Sequence, residues 1–66
     1  MRLTDFRQRL ADVFGPAYAA SIAIDQVLPQ LNGRTIERAL ADGIDTQPVW
    51  RAVVAEFGER LPAKLR

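Results

Sequence analysis

Apolar side chains return every three or four residues at Leu3, Phe6, Leu10, Val13 and Phe14, a stripe along one side of a helix. Thr4 is the expected N-cap of that helix, and Asp5 in its first turn suits the positive end of the helix dipole. Gly15 stops it, and Pro16, its φ already set for a first helical turn, starts the next element. This second segment, from Pro16 to Gln26 or Leu28, is apolar nearly all round. Tyr18, Ala19, Ala20, Ile22, Ala23 and Ile24 are broken only by Ser21, Asp25 and Gln26. A helix without a wide polar face sits at the centre of its bundle or lends its second face to a partner. Pro29 pushes Leu28 away from helical geometry and so ends or kinks the segment, and Asn32-Gly33 marks a turn.

Thr35 is the expected cap of a short third helix, with Ile36, Ala39 and Leu40 inward and Glu37, Arg38, Ala41 and Asp42 outward. Gly43 stops it. Asp45 or Thr46 caps a fourth helix, with Pro48 in its first turn. At about 100° per residue, Val49, Trp50, Val53, Val54 and Phe57 fall within a sector of about 140°, while Arg51 and Ala55 point away. Gly58 closes this helix, and residues 59–66 read as a frayed tail that Leu61 or Leu65 can pin. Nothing reads as a strand. The chain is expected to be all-α, a compact bundle of three to four short helices whose last two resemble a helix-turn-helix. One helical domain covers residues 1–58, and 59–66 form a C-terminal tail. Helices this short are held by packing rather than by propensity.

Length makes that packing marginal. A chain of 66 residues is one domain, and it buries only about 60% of the surface that its unfolded form exposes. Small scaffolds commonly add a disulfide, a metal or an association. With no cysteine and no histidine, disulfides, thiolate ligands and imidazole ligands are excluded, and association is the staple left open. Met1 to Arg9 is interrupted by Arg2, Asp5, Arg7 and Arg9, so no secretory leader is expected. The longest uncharged run, Val13 to Ile24, is shorter than the roughly 20 residues a bilayer requires. A soluble cytoplasmic protein without a membrane partner is expected.

Nine basic and eight acidic side chains leave a net charge of +1, a poor electrostatic footprint for nucleic acid. Arg2, Arg7 and Arg9 near one end and Arg60, Lys64 and Arg66 near the other could share a face, but helix-end decoration explains them more simply.

Catalytic chemistry finds no foothold. Nucleophilic catalysis needs a hydroxyl or thiol beside a base. Thr4, Thr35 and Thr46 are accounted for as caps, and Ser21 lies among alanines with no histidine in the chain. Asp5 with Asp12, and Asp42 with Asp45, read as solvated or capping groups, and the four glycines are single punctuation marks rather than a phosphate loop. No enzyme, cofactor or metal is expected. Trp50 and Arg51 are residue types favoured at binding hot spots. The place of Trp50 in the apolar stripe nevertheless assigns it to the core, and Tyr18 is expected there too, with its hydroxyl at the edge.

The sharpest functional pattern spans the last two helices. A helix-turn-helix wants a small residue in its first helix, glycine four residues on, and apolar residues six and nine after that. Ala39, Gly43, Val49 and Ala52 meet the spacing. Arg38 and Asp42 stand where that motif buries apolar side chains, and Ala52 is expected roughly 140° from the centre of its helix's apolar face. The exposed face, with Gln47, Arg51, Ala55 and Glu56, offers few groups that read bases.

From Met1 to about Phe57 the chain resembles an actinobacterial family known as domain of unknown function 3046. The resemblance rests on Met1-Arg2-Leu3-Thr4 with Phe6, Tyr18-Ala19 with Ser21, and Val27-Leu28-Pro29. It continues through Gly33-Arg34-Thr35, Ala39-Leu40, Gly43 and Val49-Trp50-Arg51-Ala52-Val53. It implies a small cytoplasmic protein whose genes lie near those for recombination functions, and it supplies no activity and no site residue. Ala20, Ile24 and Gln26 depart from the pattern, standing where the resemblance implies more polar or charged side chains. The expectation is a non-catalytic interaction module that binds an unidentified protein or a second copy of itself. Ala20, Ile24, Arg34 and Arg51 are its candidate contact residues, and a weak DNA-binding helix-turn-helix is the runner-up.

Overall fold

In the computed structural model, which describes residues 1–58, the first helix, α1, runs from Leu3 to Phe14 and the second, α2, from Pro16 to Asp25. A two-residue strand, β1 (Val27–Leu28), leads into a 3-10 turn at Pro29–Leu31 and a second strand, β2 (Arg34–Thr35). Helices α3 (Ile36–Ala41) and α4 (Thr46–Phe57) follow. The expectation of a tail over 59–66 falls outside the described residues. The architecture is all-α apart from the small hairpin.

That hairpin is the first correction to the sequence reading, which expected no strand. Pro29 forces Leu28 into extended geometry, φ −111° and ψ 121°. Asn32 then takes the left-handed region at φ 58° and Gly33 follows at φ 78°. The chain reverses, and Val27 pairs with Thr35 and Leu28 with Arg34 in antiparallel register. Strands of two residues have no period to detect.

The second correction concerns the start of α1. Arg2, not Thr4, occupies the N-cap, and no side chain caps the helix. The Phe6 amide donates to the Arg2 carbonyl at 2.9 Å, so Thr4 lies inside the first turn. The hydroxyl of Thr46 donates to the Met1 carbonyl, which ties the beginning of the chain to the first residue of α4.

The remaining helix ends follow their local chemistry. The Thr35 hydroxyl accepts from the Arg38 amide at 3.1 Å, and the Asp45 carboxylate accepts from the Thr46 amide at 2.8 Å. At the end of α3 the Ile44 amide donates to the Ala39 carbonyl and the Gly43 amide to the Leu40 carbonyl. These paired bonds form a Schellman ending, and Gly43 at φ 87° supplies the left-handed residue it requires. Gly15, at φ 86° and ψ 147°, is the corner between α1 and α2. This region is open essentially to glycine alone.

The core lies where α1, α2, α3, α4 and the hairpin converge. Phe6, Leu28, Ile36, Val49 and Val53 are its largest fully enclosed side chains. Trp50 packs edge-to-face on Phe6 with ring centroids 6.1 Å apart, and the Arg9 guanidinium lies 5.4 Å from the indole centre. Tyr18 corrects the sequence reading: it is 51% exposed, its ring meeting Phe14 at 6.0 Å on the surface rather than in the core.

Candidate functional site

Helix α2 divides into two faces. Ala19, Ile22 and Ala23 point inward and are buried, while Ala17, Ala20, Ser21 and Ile24 lie on the opposite arc and are exposed. Ile24 is 64% exposed, and Val27, just beyond the helix, is 52% exposed. Beside this arc runs a shallow groove of about 180 Å³ between α1 and α2, lined by Leu10, Ala11, Ala19, Ala20 and Ala23 together with Arg7. The Arg7 guanidinium is engaged: it donates two hydrogen bonds to the Glu37 carboxylate, at 2.7 and 2.9 Å. Those bonds hold the Glu37 carboxyl below its ordinary value and raise that of Arg7.

The four candidate contact residues do not form one site. Ala20 and Ile24 share the outward face of α2. Arg34 belongs to the hairpin, where its guanidinium binds Asp42 at 2.9 Å and the Leu31 carbonyl at 3.1 Å. That pairing gives Arg34 a structural part, pinning the hairpin to the end of α3. Arg51 is exposed on α4. The residues that sequence reasoning missed are Tyr18 and Val27. Ser21 and Asp25, spaced one helical turn apart, marked the outward side of α2, and Tyr18 lies about 20° from Asp25 on the helix circumference.

The helix-turn-helix positions give a mixed answer. Ala39 and Val49 are fully buried, and Gly43 has the positive φ of the motif's turn. Ala52 corrects the sequence expectation: it is 4% exposed, because α4 is packed by α1, α3, β1 and the 3-10 turn and its buried arc is wider than the apolar stripe. Arg38 and Asp42, by contrast, are exposed and paired with each other at 3.2 Å. The outward side of α4 carries Gln47, Pro48, Arg51, Ala55 and Glu56.

A second depression, broad and polar, lies between α1 and the start of α4. Asp5, Arg9, Asp12 and Gln47 contribute to it, with a volume of about 520 Å³. Its described lining residues include the carboxylates of Asp5 and Asp12 and no hydroxyl or thiol. Among the described residues no group of three or more Asp or Glu side chains is placed to hold a metal ion, and no helix is long and apolar enough to cross a membrane. Comparison with curated proteins and with solved structures finds no match. The family model described as "Protein of unknown function (DUF3046)" matches residues 1–64, nearly the whole chain, and the chain belongs to that family.

Proposed function

We propose that this protein is a small, non-catalytic interaction module of the cytoplasm, and that it meets its partner through the outward face of α2 and the start of β1. One observation carries the reading. Among the described residues five large apolar side chains are exposed, and three of them, Tyr18, Ile24 and Val27, belong to this one segment. Large apolar groups left exposed along one short segment favour contact with another macromolecule, because association removes them from water. The polar depression beside α1 has no hydroxyl or thiol among its described lining residues, which supports the non-catalytic reading.

Binding of DNA through α3 and α4 is the second reading. The buried Ala39, Val49 and Ala52 with the left-handed Gly43 favour it. Charge weighs against it. Arg34 and Arg38 are both engaged by Asp42, and the outward side of α4 sets Arg51 against Glu56.

Quantitative capture from native cells separates the two. A protein partner bound through α2 survives nuclease treatment, and Ile24→Glu lowers its recovery tenfold or more, a loss of about 1.4 kcal/mol. Capture that disappears with nuclease, falls steeply with salt and is weakened by Arg51→Glu would favour the DNA reading instead.

A further inference from the structure

We propose that the outward face of α2 pairs with the same face of a second copy, the two helices running antiparallel as a weak, reversible homodimer. The inference rests on the reading of α2 as a contact surface and adds its occupant.

Charge points to the antiparallel copy. Helix dipoles favour anions at the N-terminus and cations at the C-terminus. Helix α2 meets neither preference: its N-terminus has no side-chain cap and no acidic residue in the first turn, and its last residue is Asp25. Among the described residues the Asp25 carboxylate takes only a long hydrogen bond, 3.4 Å, from the Ser21 hydroxyl. An antiparallel copy places each Asp25 beside the uncapped N-terminus of the other helix, and both mismatches are relieved at once.

Shape agrees. A two-fold axis between Ala20 and Ser21 sets these two small residues against each other and places Ile24 of one copy over Ala17 of the other. The largest exposed side chain of the arc thus meets one of the smallest, as self-complementary packing requires. At about 100° per residue, Tyr18 and Asp25 lie along the same edge of the helix. In the pair, the exposed Tyr18 hydroxyl of each copy comes within reach of Asp25 of the other and can donate to it.

Area sets the strength. Ten residues of helix are about 15 Å long, and one outward arc of that length supplies a few hundred Å², below the roughly 600 Å² per partner of the smallest standard interfaces. The dimer therefore belongs in the range of about 10 µM to 1 mM.

Sedimentation equilibrium on the full chain across that range tests it. The wild type shifts from monomer towards dimer, and Ile24→Glu remains monomeric. Asp25→Lys weakens association about tenfold while raising the melting temperature of the monomer, since lysine suits its own helix C-terminus. Arg51→Glu, on α4, leaves the equilibrium unchanged. Orientation is read by mixing single-cysteine proteins, which the cysteine-free sequence permits. Ala17→Cys mixed with Ile24→Cys gives mainly the mixed disulfide under mild oxidation. A wild type that stays monomeric throughout, or disulfides joining mainly like positions, overturns the proposal. If the wild type is monomeric while Ile24→Glu still abolishes capture of a cellular protein, the module reading stands and only the second copy falls.

Discussion

In α4 the buried set, Val49, Trp50, Ala52 and Val53, lies opposite Gln47, Pro48, Arg51 and Ala55; in α2 the buried set, Ala19, Ile22 and Ala23, lies opposite Ala17, Ala20 and Ile24. The helix ends differ in the same sense. Asp45 caps α4 with a 2.8 Å hydrogen bond, whereas α2 opens on Gly15 without a side-chain cap. Both helices are rich in apolar residues, but α4 has a side-chain cap at its start and hides most of its large side chains. Helix α2 satisfies the core with one side and leaves the other to solvent. Apolar content thus says how much a helix can bury; the distribution of polar residues around it decides whether the fold uses all of that capacity.

The comparison breaks most visibly at Trp50. Trp50→Ala removes a 5%-exposed ring packed on Phe6 and should cost about 3–5 kcal/mol, enough to unfold so small a domain. Urea titration followed by far-UV circular dichroism measures it, and a variant of unchanged stability would mean that the indole is no core group.

Gly15→Ala is next. A methyl group there meets nothing within 4 Å, so the expected loss of about 1–3 kcal/mol comes from the backbone alone. Thermal melts of Gly15→Ala and of the control Gly58→Ala, whose backbone is right-handed and whose added methyl group also meets nothing within 4 Å, would show whether the corner between α1 and α2 demands glycine.

Asp45→Ala removes the cap that α2 lacks, and a loss of about 1 kcal/mol is expected. Should the midpoint stay where it is, the difference between the two helix ends carries no stability.

The Arg7–Glu37 pair gives a smaller, pH-dependent effect. Glu37 titrates below its ordinary value because Arg7 donates two hydrogen bonds to its ionised form. A lowered folded-state value stabilises the protein above the unfolded value of about 4.3 and is lost as pH falls through the folded one. Both side chains are more than a third exposed, so solvent screening limits the effect to less than about 1 kcal/mol. Stability curves of wild type and Glu37→Gln should differ at neutral pH and converge in acid; curves that stay parallel would show that the pair contributes nothing.

Ile24→Glu sits at the bottom of the scale, within about 0.5 kcal/mol of wild type at concentrations where the chain is monomeric. A large loss would place Ile24 in the core and erase the outward face of α2.

Much of this fold is legible wherever the signal is local. The stripe of α1, the Gly15-Pro16 corner, the Thr35 and Asp45 caps and the Gly43 ending each depend on residues within one or two turns of one another. The hairpin was not legible, because two residues per strand establish no alternation. The misplacement of Tyr18 has a related cause: in a helix without a wide polar face only Ser21 and Asp25 mark the outward side, a weaker signal than the apolar character of the tyrosine ring. Thr4 has the residue type of a cap, but the helix starts two residues earlier, at an Arg2 N-cap without a side-chain hydrogen bond, which no capping pattern in the sequence marks. Of the candidate site, Ala20 and Ile24 were readable as surface residues on α2. The part played by Arg34 was not, since its partner Asp42 comes beside it only when the hairpin and α3 have folded.

The bond from the Thr46 hydroxyl to the Met1 carbonyl joins residues 45 positions apart. The caps and turns of the fold join residues a few positions apart and can assemble locally, on the microsecond scale of helices and short loops. This clasp needs almost the whole described chain to close upon itself, with the entropy loss that a loop of that length entails. It shares that long reach with the packing of Phe6 on Trp50 and with the Arg7–Glu37 pair, so the first half of α1 is held by residues remote in the sequence.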